Sequence, residues 1–310
     1  MARPGSPFNR SASIAAAIGI AILGATTLSA CSGSTTGTPA ASESAAASAV
    51  AADPALHDQL PDAIKEAGTI KVGTEALYPP YEYLDTDGTT VIGLDVDLFD
   101  AVAARLGVDY TIDNIAFDSL LPALDTGRYD VIVAAMTDNA ERQQNYDFID
   151  YFSAGQSIVT LKDNPEGIST FDDLCGKTVS VLKTSAQETL LQDMNKDQCA
   201  SNPIDILSQQ SDNDALLQVQ NKRAVADVSQ DAVATYTAQT VGGGNVFTVA
   251  NAEPIEPKPL GYVVKKGDAL QQPLQAALQS LIDDGTYQSI LAEHGLTASG
   301  LDKITINAGE

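Results

Sequence analysis

The sequence predicts an α/β protein with two lobes, each built from strands and helices that alternate along the chain. Residues 131–135 (Val-Ile-Val-Ala-Ala) are continuously apolar, as expected for a strand that is covered on both faces. Segments with the period of a helix stand between such apolar runs, and this alternation occurs twice along the chain. Strand–helix–strand order implies parallel strands joined by right-handed crossovers.

The first round of alternation supplies three strands and two helices. The predicted strands are residues 69–74, 108–112 and 131–135. Apolar residues at helical spacing predict the first helix; they are Phe99, Val102, Ala103 and Leu106. Gly107 stands where that helix would end. Asp118 is predicted to cap the second helix, which carries three leucines and ends at Gly127.

The second round of alternation occupies the middle of the chain. Its predicted strands are residues 157–161, 178–182, 204–207 and 225–228, with a helix at residues 214–219. Ser185 and Glu188 have the spacing of a capping box and open a helix that runs through Met194. The chain then returns to a strand at residues 260–264, and two helices follow. No Gly/Ser-rich linker interrupts residues 58–310, so we expect short strand-like crossings between the lobes.

The charge balance is strongly acidic, with 41 Asp and Glu against 17 Lys and Arg in 310 residues and a net charge of −24. This balance argues against nucleic-acid binding, because phosphate contacts need clustered basic residues and none occur here. It argues equally against electrostatic docking to anionic lipid. Only two His and three Cys are present, so we expect no metal ion and no cofactor.

Residues 1–30 have the pattern of a lipoprotein signal peptide. Arg3 and Arg10 form a positive region, and residues 14–25 form an apolar stretch that is too short to span a bilayer comfortably. This stretch leads into Leu28-Ser29-Ala30-Cys31, which resembles a bacterial lipobox, where the cysteine is lipidated. An ordinary cleavage site beside a chance cysteine is the alternative. Removal of residues 1–30, which contain two Arg and no acid, brings the net charge to −26.

A run rich in Ser, Thr, Ala and Gly follows Cys31 to about residue 52. Such a composition buries too little apolar surface to offset the entropy of ordering, so residues 31–57 are expected to be a flexible tether. Acyl chains such as palmitate would hold the protein on the extracytoplasmic face of the cell membrane. That compartment is oxidising, which favours a disulfide between Cys175 and Cys199 over two free buried thiols.

Six segments of the sequence, taken in order, resemble one known family. They are residues 71–83 (KVGTEALYPPYEY), 93–98 (GLDVDL), 117–124 (FDSLLPAL), 136–148, 261–267 (GYVVKKG) and 284–287 (DGTY). Together they extend over nearly all of residues 68–295 and are similar to the polar amino acid-binding proteins of ABC importers. Each segment alone is a weak signal, whereas the ordered series is specific.

The resemblance implies two lobes joined by two hinge strands, with a ligand cleft between them. The first lobe would comprise residues 58–152 and 255–310, and the second residues 153–254. The hinges are expected near residues 151–155 and 250–254. Hinge motion would close the lobes on the ligand.

The resemblance also implies a function, the capture of a polar amino acid outside the cell and its delivery to an ABC permease. No Walker motif occurs in the chain, so an ATPase on another polypeptide would supply the energy. The protein is expected to be a monomer without enzymatic activity. Two alternatives remain open. One is an enzyme similar to cyclohexadienyl dehydratase, with Glu75 and Asp231 as candidate acid or base, and the other is a ligand sensor for a membrane receptor.

By this resemblance, Arg142 is the residue that binds the ligand carboxylate. A planar guanidinium suits that group because it can donate two parallel hydrogen bonds. Arg142 follows a buried strand and lies in the first turn of a predicted helix, where free N–H groups also favour an anion. Thr137 would add a hydroxyl and its own N–H, while Ser185 and Ala186 would bring N–H donors from the second lobe. Without the resemblance, a solvated surface arginine would be the simpler interpretation.

The remaining site residues are carried over in the same way. Asp231 follows a predicted strand and would bind the ligand ammonium, although it could also cap the next helix. Tyr78 and Phe117 would enclose the ligand side chain, with a plain core role as the alternative for Phe117. Ala135 would line the cleft, where it departs from the family's commonest residues. Glu75 would face the far end of the ligand side chain and suit a cationic or amide group.

Overall fold

A computed structural model of the protein describes residues 50–310. The predicted signal peptide, the lipobox with Cys31 and most of the predicted tether lie outside the described residues. Within residues 50–310, no helix combines the length and the apolar character needed to cross a bilayer. The fold is mixed α/β, with helices packed against one large sheet.

The helices and strands of the described chain have the following bounds. The helices are α1 (Pro54–His57), α2 (Asp62–Ala67), α3 (Leu94–Leu106), α4 (Phe117–Asp125), α5 (Ala186–Lys196), α6 (Asp212–Gln220), α7 (Asp231–Thr240), α8 (Gln271–Asp283) and α9 (Thr286–Glu293). The strands are β1 (Thr69–Thr74), β2 (Leu77–Tyr78), β3 (Glu82–Leu84), β4 (Val91–Ile92), β5 (Asp109–Asn114), β6 (Val131–Thr137), β7 (Tyr146–Leu161), β8 (Thr178–Leu182), β9 (Asp205–Gln209), β10 (Ala226–Gln230), β11 (Phe247–Val249), β12 (Ile255–Lys265) and β13 (Gly300–Ile306).

The large sheet consists of two parallel groups of strands joined by two long antiparallel strands. β1 pairs in parallel with β5 and β6, and β8 pairs in parallel with β9 and β10. The order is β5-β1-β6-β12-β7-β10-β8-β9. We call β1–β6 with α1–α4, α8 and α9 lobe 1, and β8–β11 with α5–α7 lobe 2. The predicted fold class, two α/β lobes joined by hinge strands, is confirmed.

β7 passes from one lobe to the other. Residues 146–156 pair with β12, and residues 156–159 pair with β10. Gly155 lies at this passage, where an added Cβ would stand 2.6 Å from the Cβ of Pro254. The close approach of the two connections therefore requires glycine. The sequence predicts only the second part of this strand, because the first part carries two aspartates, which are buried in the structure.

Several local predictions are confirmed. β1 and β8 have the predicted bounds. α3 ends where Gly107 adopts a left-handed conformation with φ of 67°. Ser185 caps α5, and its hydroxyl accepts a hydrogen bond from the N–H of Glu188 at 3.1 Å. These features depend on residues that are neighbours in sequence, which is why the pattern alone predicts them.

Three local predictions are wrong. Asp118 does not cap α4, because the helix already begins at Phe117. The carboxylate of Asp118 instead lies 3.2 Å from the ammonium of Lys183 in lobe 2. Arg142 begins a three-residue 3-10 helix rather than an α-helix. Residues 54–57 of the predicted tether form α1, which packs against α3. Asp53 anchors this helix, since its N–H donates to the carbonyl of Arg105 at 2.8 Å.

A disulfide joins Cys175 and Cys199, whose Cα atoms are 5.2 Å apart. The predicted pairing is confirmed. Cys175 precedes β8, and Cys199 follows α5. The bond therefore encloses the stretch of lobe 2 that contains the first turn of α5.

Candidate functional site

A narrow cavity lies between the lobes, beside the carboxyl ends of β6 and β10 and the first turn of α5. Seven of the residues predicted for the ligand site line it: Tyr78, Phe117, Ala135, Thr137, Arg142, Ser185 and Ala186. Gln187 and Gln230, which were not predicted, also line it. Open α/β sheets bind ligands at the carboxyl ends of their strands, so the cavity occupies the place expected for such a fold.

Arg142 reaches across the cleft with a guanidinium that has no acidic partner among the described residues. Its Nη1 donates to the carbonyl of Thr137 at 2.7 Å, and its Nη2 donates to the carbonyl of Thr184 at 3.0 Å. The ring of Phe117 lies 5.9 Å from its Cζ. Burial lowers the pKa of Arg142 to about 10, so the group still carries its charge at neutral pH. The site thus holds a positive charge that forms no ion pair with any residue of 50–310.

The first turn of α5 faces the same cavity. The helix begins at Ala186, and the N–H groups of its first turn have no partner within the helix. Ser185 occupies the cap, while Glu188 accepts a hydrogen bond from the N–H of Thr184 at 2.7 Å rather than from the cap residue. The positive end of the helix dipole and the N–H donors add to the attraction of the cavity for an anion.

Tyr78 joins the two lobes through its hydroxyl. This oxygen accepts hydrogen bonds from the backbone N–H of Gln230 at 3.1 Å and from Nε2 of Gln187 at 3.4 Å. Only 6 % of the tyrosine is exposed, and burial raises its pKa well above the usual value. The phenol therefore stays neutral and serves as a hydrogen-bonding group inside the closed cleft.

The backbone of Ala135 is held in an uncommon conformation with φ of 41°. Its N–H donates to Oδ2 of Asp95 at 2.9 Å, and its carbonyl accepts a hydrogen bond from Nε2 of Gln230 at 3.0 Å. Tyr151 donates to the same carboxylate at 2.6 Å. A non-glycine residue at positive φ costs about 1–3 kcal/mol and persists only where its surroundings fix it. Both lobes therefore fix the shape of the cavity wall at Ala135.

Asp231 does not line the cavity that Arg142 lines, so the structure does not bring these two predicted site residues together. It is the first residue of α7, and it lines a separate cavity with Ser153, Gly155 and Pro254. Gln230 precedes it and reaches the Arg142 cavity instead. Side chains alternate along β10, and Ala226 and Val228 pack on the side of α5. Counting by two from those residues selects Gln230 once the side on which α5 packs is known.

Glu75 also lies outside the lining of the cavity, in a buried acidic cluster that we define as Glu75, Asp212 and Asp227. All three are at most 2 % exposed. Burial, with the charges of Asp212 and Asp214, raises the pKa of Glu75 to about 8. Neither carboxylate oxygen of Asp227 has a hydrogen-bond partner, and no Lys or Arg of residues 50–310 forms an ion pair with the cluster.

The acidic cluster lies behind Tyr78. α6, which begins at Asp212, packs against β2, which contains Tyr78. Asp212 accepts a hydrogen bond from the hydroxyl of Ser229 at 2.7 Å, and Ser229 is the neighbour of Gln230. The charges of Asp212 and Asp227 contribute to the raised pKa of Tyr78. The cleft is therefore positive at Arg142, and the carboxyl groups of the cluster lie near Tyr78 without lining the cavity.

These features define a ligand-binding cleft between two lobes, and comparison with known proteins supplies the family. Residues 70–297 match the bacterial extracellular solute-binding proteins, family 3, and the chain belongs to this family. It is 30% identical over 262 residues to the arginine-binding protein ArgT of Corynebacterium glutamicum, covering 82% of this chain and 83% of that protein.

Two solved structures are also similar. An ancestral arginine-binding protein bound to arginine is 34% identical, with a TM-score of 0.67, over 74% of this chain and 98% of that one. An ancestral amino acid-binding protein, described as a precursor of cyclohexadienyl dehydratase, is 32% identical, with a TM-score of 0.65. This match covers 75% of this chain and 97% of that one. Both likenesses agree with the two-lobed fold described above.

Proposed function

We propose that this protein captures an amino acid with a cationic side chain outside the cell and delivers it to an ABC permease. The observation that carries this proposal is the guanidinium of Arg142, which lies between the lobes without an acidic partner in the described chain. The family supports solute capture, and the arginine-binding relative supports a cationic amino acid as the solute. L-Arginine is therefore the first ligand to test.

The ligand carboxylate would bind at Arg142. Two of the guanidinium N–H groups bond to backbone carbonyls, and the others remain for a carboxylate. The hydroxyl of Thr137 and the N–H of Ala186 would complete its coordination from the two lobes. Because donors come from both lobes, a bound carboxylate would favour the closed form over the open one.

The ligand ammonium would bind at Gln230 rather than at Asp231. Oε1 of Gln230 is buried without a hydrogen-bond partner, and the residue lines the cavity. Tyr78 and Phe117 would enclose the aliphatic part of the ligand side chain, because both rings line the same cavity. The amide oxygen accepts a hydrogen bond without adding another negative charge to the cleft.

The cationic end of the ligand would be directed toward the acidic cluster. An arginine ligand carries a net charge of +1, and with Arg142 the closed cleft would hold two positive charges. Burial raises the pKa of all three carboxyl groups of the cluster, and a cation bound beside them would favour their ionised forms. A glutamate ligand would instead add negative charge to this cluster, at a cost of several kcal/mol.

The finer features of the protein belong to the same proposal. The first lobe would comprise residues 58–152 and 255–310 and the second residues 153–254, with hinges near residues 151–155 and 250–254. Cys31 would carry the lipid anchor on the extracytoplasmic face of the cell membrane. Metabolic labelling with palmitate tests the anchor: we expect label on the wild type and none on Cys31→Ala.

A thermal-shift screen of the twenty amino acids tests the ligand. A ligand at 100 times its dissociation constant stabilises the protein by about 2.7 kcal/mol, which is a measurable shift. We expect L-arginine and L-lysine to raise the unfolding midpoint and L-glutamate to leave it unchanged. A screen in which no amino acid moves the midpoint would contradict the proposal.

Calorimetry of an arginine variant then tests the site. Arg142→Ala is expected to weaken binding of L-arginine by about 3–5 kcal/mol, the usual consequence of removing one partner of a buried ion pair. Arg128→Ala is the matched control, because Arg128 is 57% exposed and lies outside the cavity lining. Equal weakening by both variants would remove Arg142 from the site.

The enzyme alternative receives less support from the structure. An enzyme of this kind needs an acid and a base that both reach the same bound ligand. The two candidates, Glu75 and Asp231, do not line one cavity. The similar precursor of cyclohexadienyl dehydratase is itself described as an amino acid-binding protein. Mass spectrometry of a bound amino acid after prolonged incubation separates the two functions, since binding alone returns the ligand unchanged.

A further inference from the structure

The chain continues beyond the residues that match the family, which end at 297. After α9 it forms β13, which pairs antiparallel with β7 at Ile149, Asp150 and Phe152. Residues 307–310, which we call the strap, then run back toward the cleft.

The strap bonds to two buried carboxylates of lobe 1. The N–H of Ala308 donates to Oδ2 of Asp150 at 3.0 Å, and the N–H of Gly309 donates to Oδ2 of Asp138 at 2.7 Å. Gln143 completes the arrangement from the other side. Its Nε2 donates to the carbonyl of Gly309 at 2.7 Å and to Oδ1 of Asp138 at 2.8 Å.

Gly309 of the strap lies tightly against the backbone of Asp138. A Cβ at this position would lie 2.3 Å from the carbonyl oxygen of Asp138, so no other residue fits without moving the backbone. The exposed neighbour Ala308 has no such restriction. The strap is therefore packed tightly against the backbone of Asp138, not merely laid over the surface.

The backbone that the strap contacts is the one that carries the anion-binding groups. Asp138 directly follows Thr137, whose carbonyl accepts the hydrogen bond from Nη1 of Arg142. Gln143 directly follows Arg142. The N–H of Asp138 also donates to the carbonyl of Pro259 at 2.9 Å, which fixes the turn from the side of β12.

We propose that the strap positions the turn 137–143, so that ligand affinity depends on residues outside the family-matched region. Asp138, Gln143 and Gly309 are positioning residues in this arrangement, acting through Thr137 and Arg142. A charged group held within a few tenths of an ångström of its productive place binds a carboxylate far better than one on a loose turn. This inference rests on the proposed function, because the turn matters for affinity only if Arg142 binds the ligand.

Calorimetry with L-arginine tests the inference on matched variants. Gly309→Ala is expected to weaken binding at least tenfold, whereas Ala308→Ser, at the adjacent exposed position, changes it less than twofold. In a protein that already carries Arg142→Lys, Gly309→Ala is expected to weaken binding of L-arginine by less than a further twofold. The reason is that the guanidinium which the strap positions is already gone. Fully additive losses would overturn the inference and assign the strap a general stabilising role.

Hydrogen exchange of the ligand-free protein supplies a readout that does not depend on the ligand. Amides of residues 138–145 are expected to exchange at least tenfold faster in Gly309→Ala, with the helices of lobe 2 unchanged. Wild-type protein that binds no amino acid, with faster exchange in the variant, would sink the proposed function but keep the positioning. Unchanged exchange in residues 138–145 would overturn the inference whatever the ligand.

Discussion

The hydroxyl of Tyr78 accepts a hydrogen bond from the backbone N–H of Gln230 at 3.1 Å, and this bond links lobe 1 to lobe 2. Four other contacts cross the cleft nearby. They are Gln187 Nε2 to the hydroxyl of Tyr78, Gln230 Nε2 to the carbonyl of Ala135, Arg142 Nη2 to the carbonyl of Thr184, and Lys183 with Asp118. The described conformation is therefore a closed one, in which polar groups of each lobe are satisfied by the other.

Tyr78→Phe removes two of these links, those from Gln230 and Gln187, while keeping the aromatic ring. The variant leaves the N–H of Gln230 without its acceptor in the closed form, at a cost of about 1–3 kcal/mol. We expect L-arginine to bind about tenfold more weakly and the ligand-free protein to scatter X-rays with a larger radius of gyration. Tyr110→Phe is the control, because its hydroxyl bonds to Asp100 away from the cleft. Unchanged affinity in Tyr78→Phe would show that these bonds do not hold the lobes closed.

Stability is expected to fall as the pH rises from 5 to 8. The pKa of Glu75 is raised to about 8 and that of Asp150 to about 7, in both cases chiefly by burial. A carboxyl with a raised pKa binds its proton more tightly in the folded state, so its stabilisation is complete at low pH and is lost as the pH rises through the folded pKa. For Glu75 the loss is at most about 4 kcal/mol.

Urea unfolding followed by circular dichroism at pH 5, 6, 7 and 8 measures this dependence. Glu75→Gln, which cannot ionise, should flatten the slope of unfolding free energy against pH. The exposed Glu66→Gln is the matched control. A slope of opposite sign in the wild type would mean that these buried carboxyl groups are ionised at neutral pH.

The disulfide is expected to stabilise lobe 2. Its two cysteines are 24 residues apart, and closing such a loop contributes about 3 kcal/mol on the chain-entropy model. Reduction with dithiothreitol should lower the unfolding free energy by that amount in the wild type. The same treatment should have no effect on the double variant Cys175→Ser/Cys199→Ser. Equal stability of oxidised and reduced wild type would contradict the prediction.

Gln230 and Asp231 offer a test of which residue faces the ligand. Gln230→Ala removes the unpartnered amide oxygen and the bond to Ala135, so binding of L-arginine should weaken at least tenfold. Asp231→Asn keeps its size in a separate cavity and should change binding less than twofold. Calorimetry with L-arginine measures both affinities. Weaker binding by Asp231→Asn with unchanged binding by Gln230→Ala would show that Asp231, not Gln230, faces the ligand.

Much of the site is predictable because its residues belong to local patterns. Thr137 follows a continuously apolar strand, and Ser185 stands three residues before Glu188 in a capping pattern. Tyr78 and Arg142 came from the ordered family motifs rather than from periodicity. All four line one cavity in the structure.

Other features depended on partners that are distant in sequence. Asp147 and Asp150 sit inside β7, where polarity argues against a buried strand, and the strap and Lys266 supply their partners. The direction of Gln230 and Asp231 at the end of β10 depended on where α5 and β7 pack. A pattern of residue types cannot carry that information, because a side chain's direction at a strand end is fixed by the elements that bury it.

The sequence by itself determined the alternation of strands and helices and the first turn of α5. Each follows from backbone preferences and side-chain chemistry within a few positions. Only the tertiary structure decided that Gln230 enters the cleft, that three acids gather behind Tyr78, and that residues 307–310 support the turn of Arg142. These are contacts between segments far apart in the chain, and burial, which sets their strength, exists only once the chain has folded.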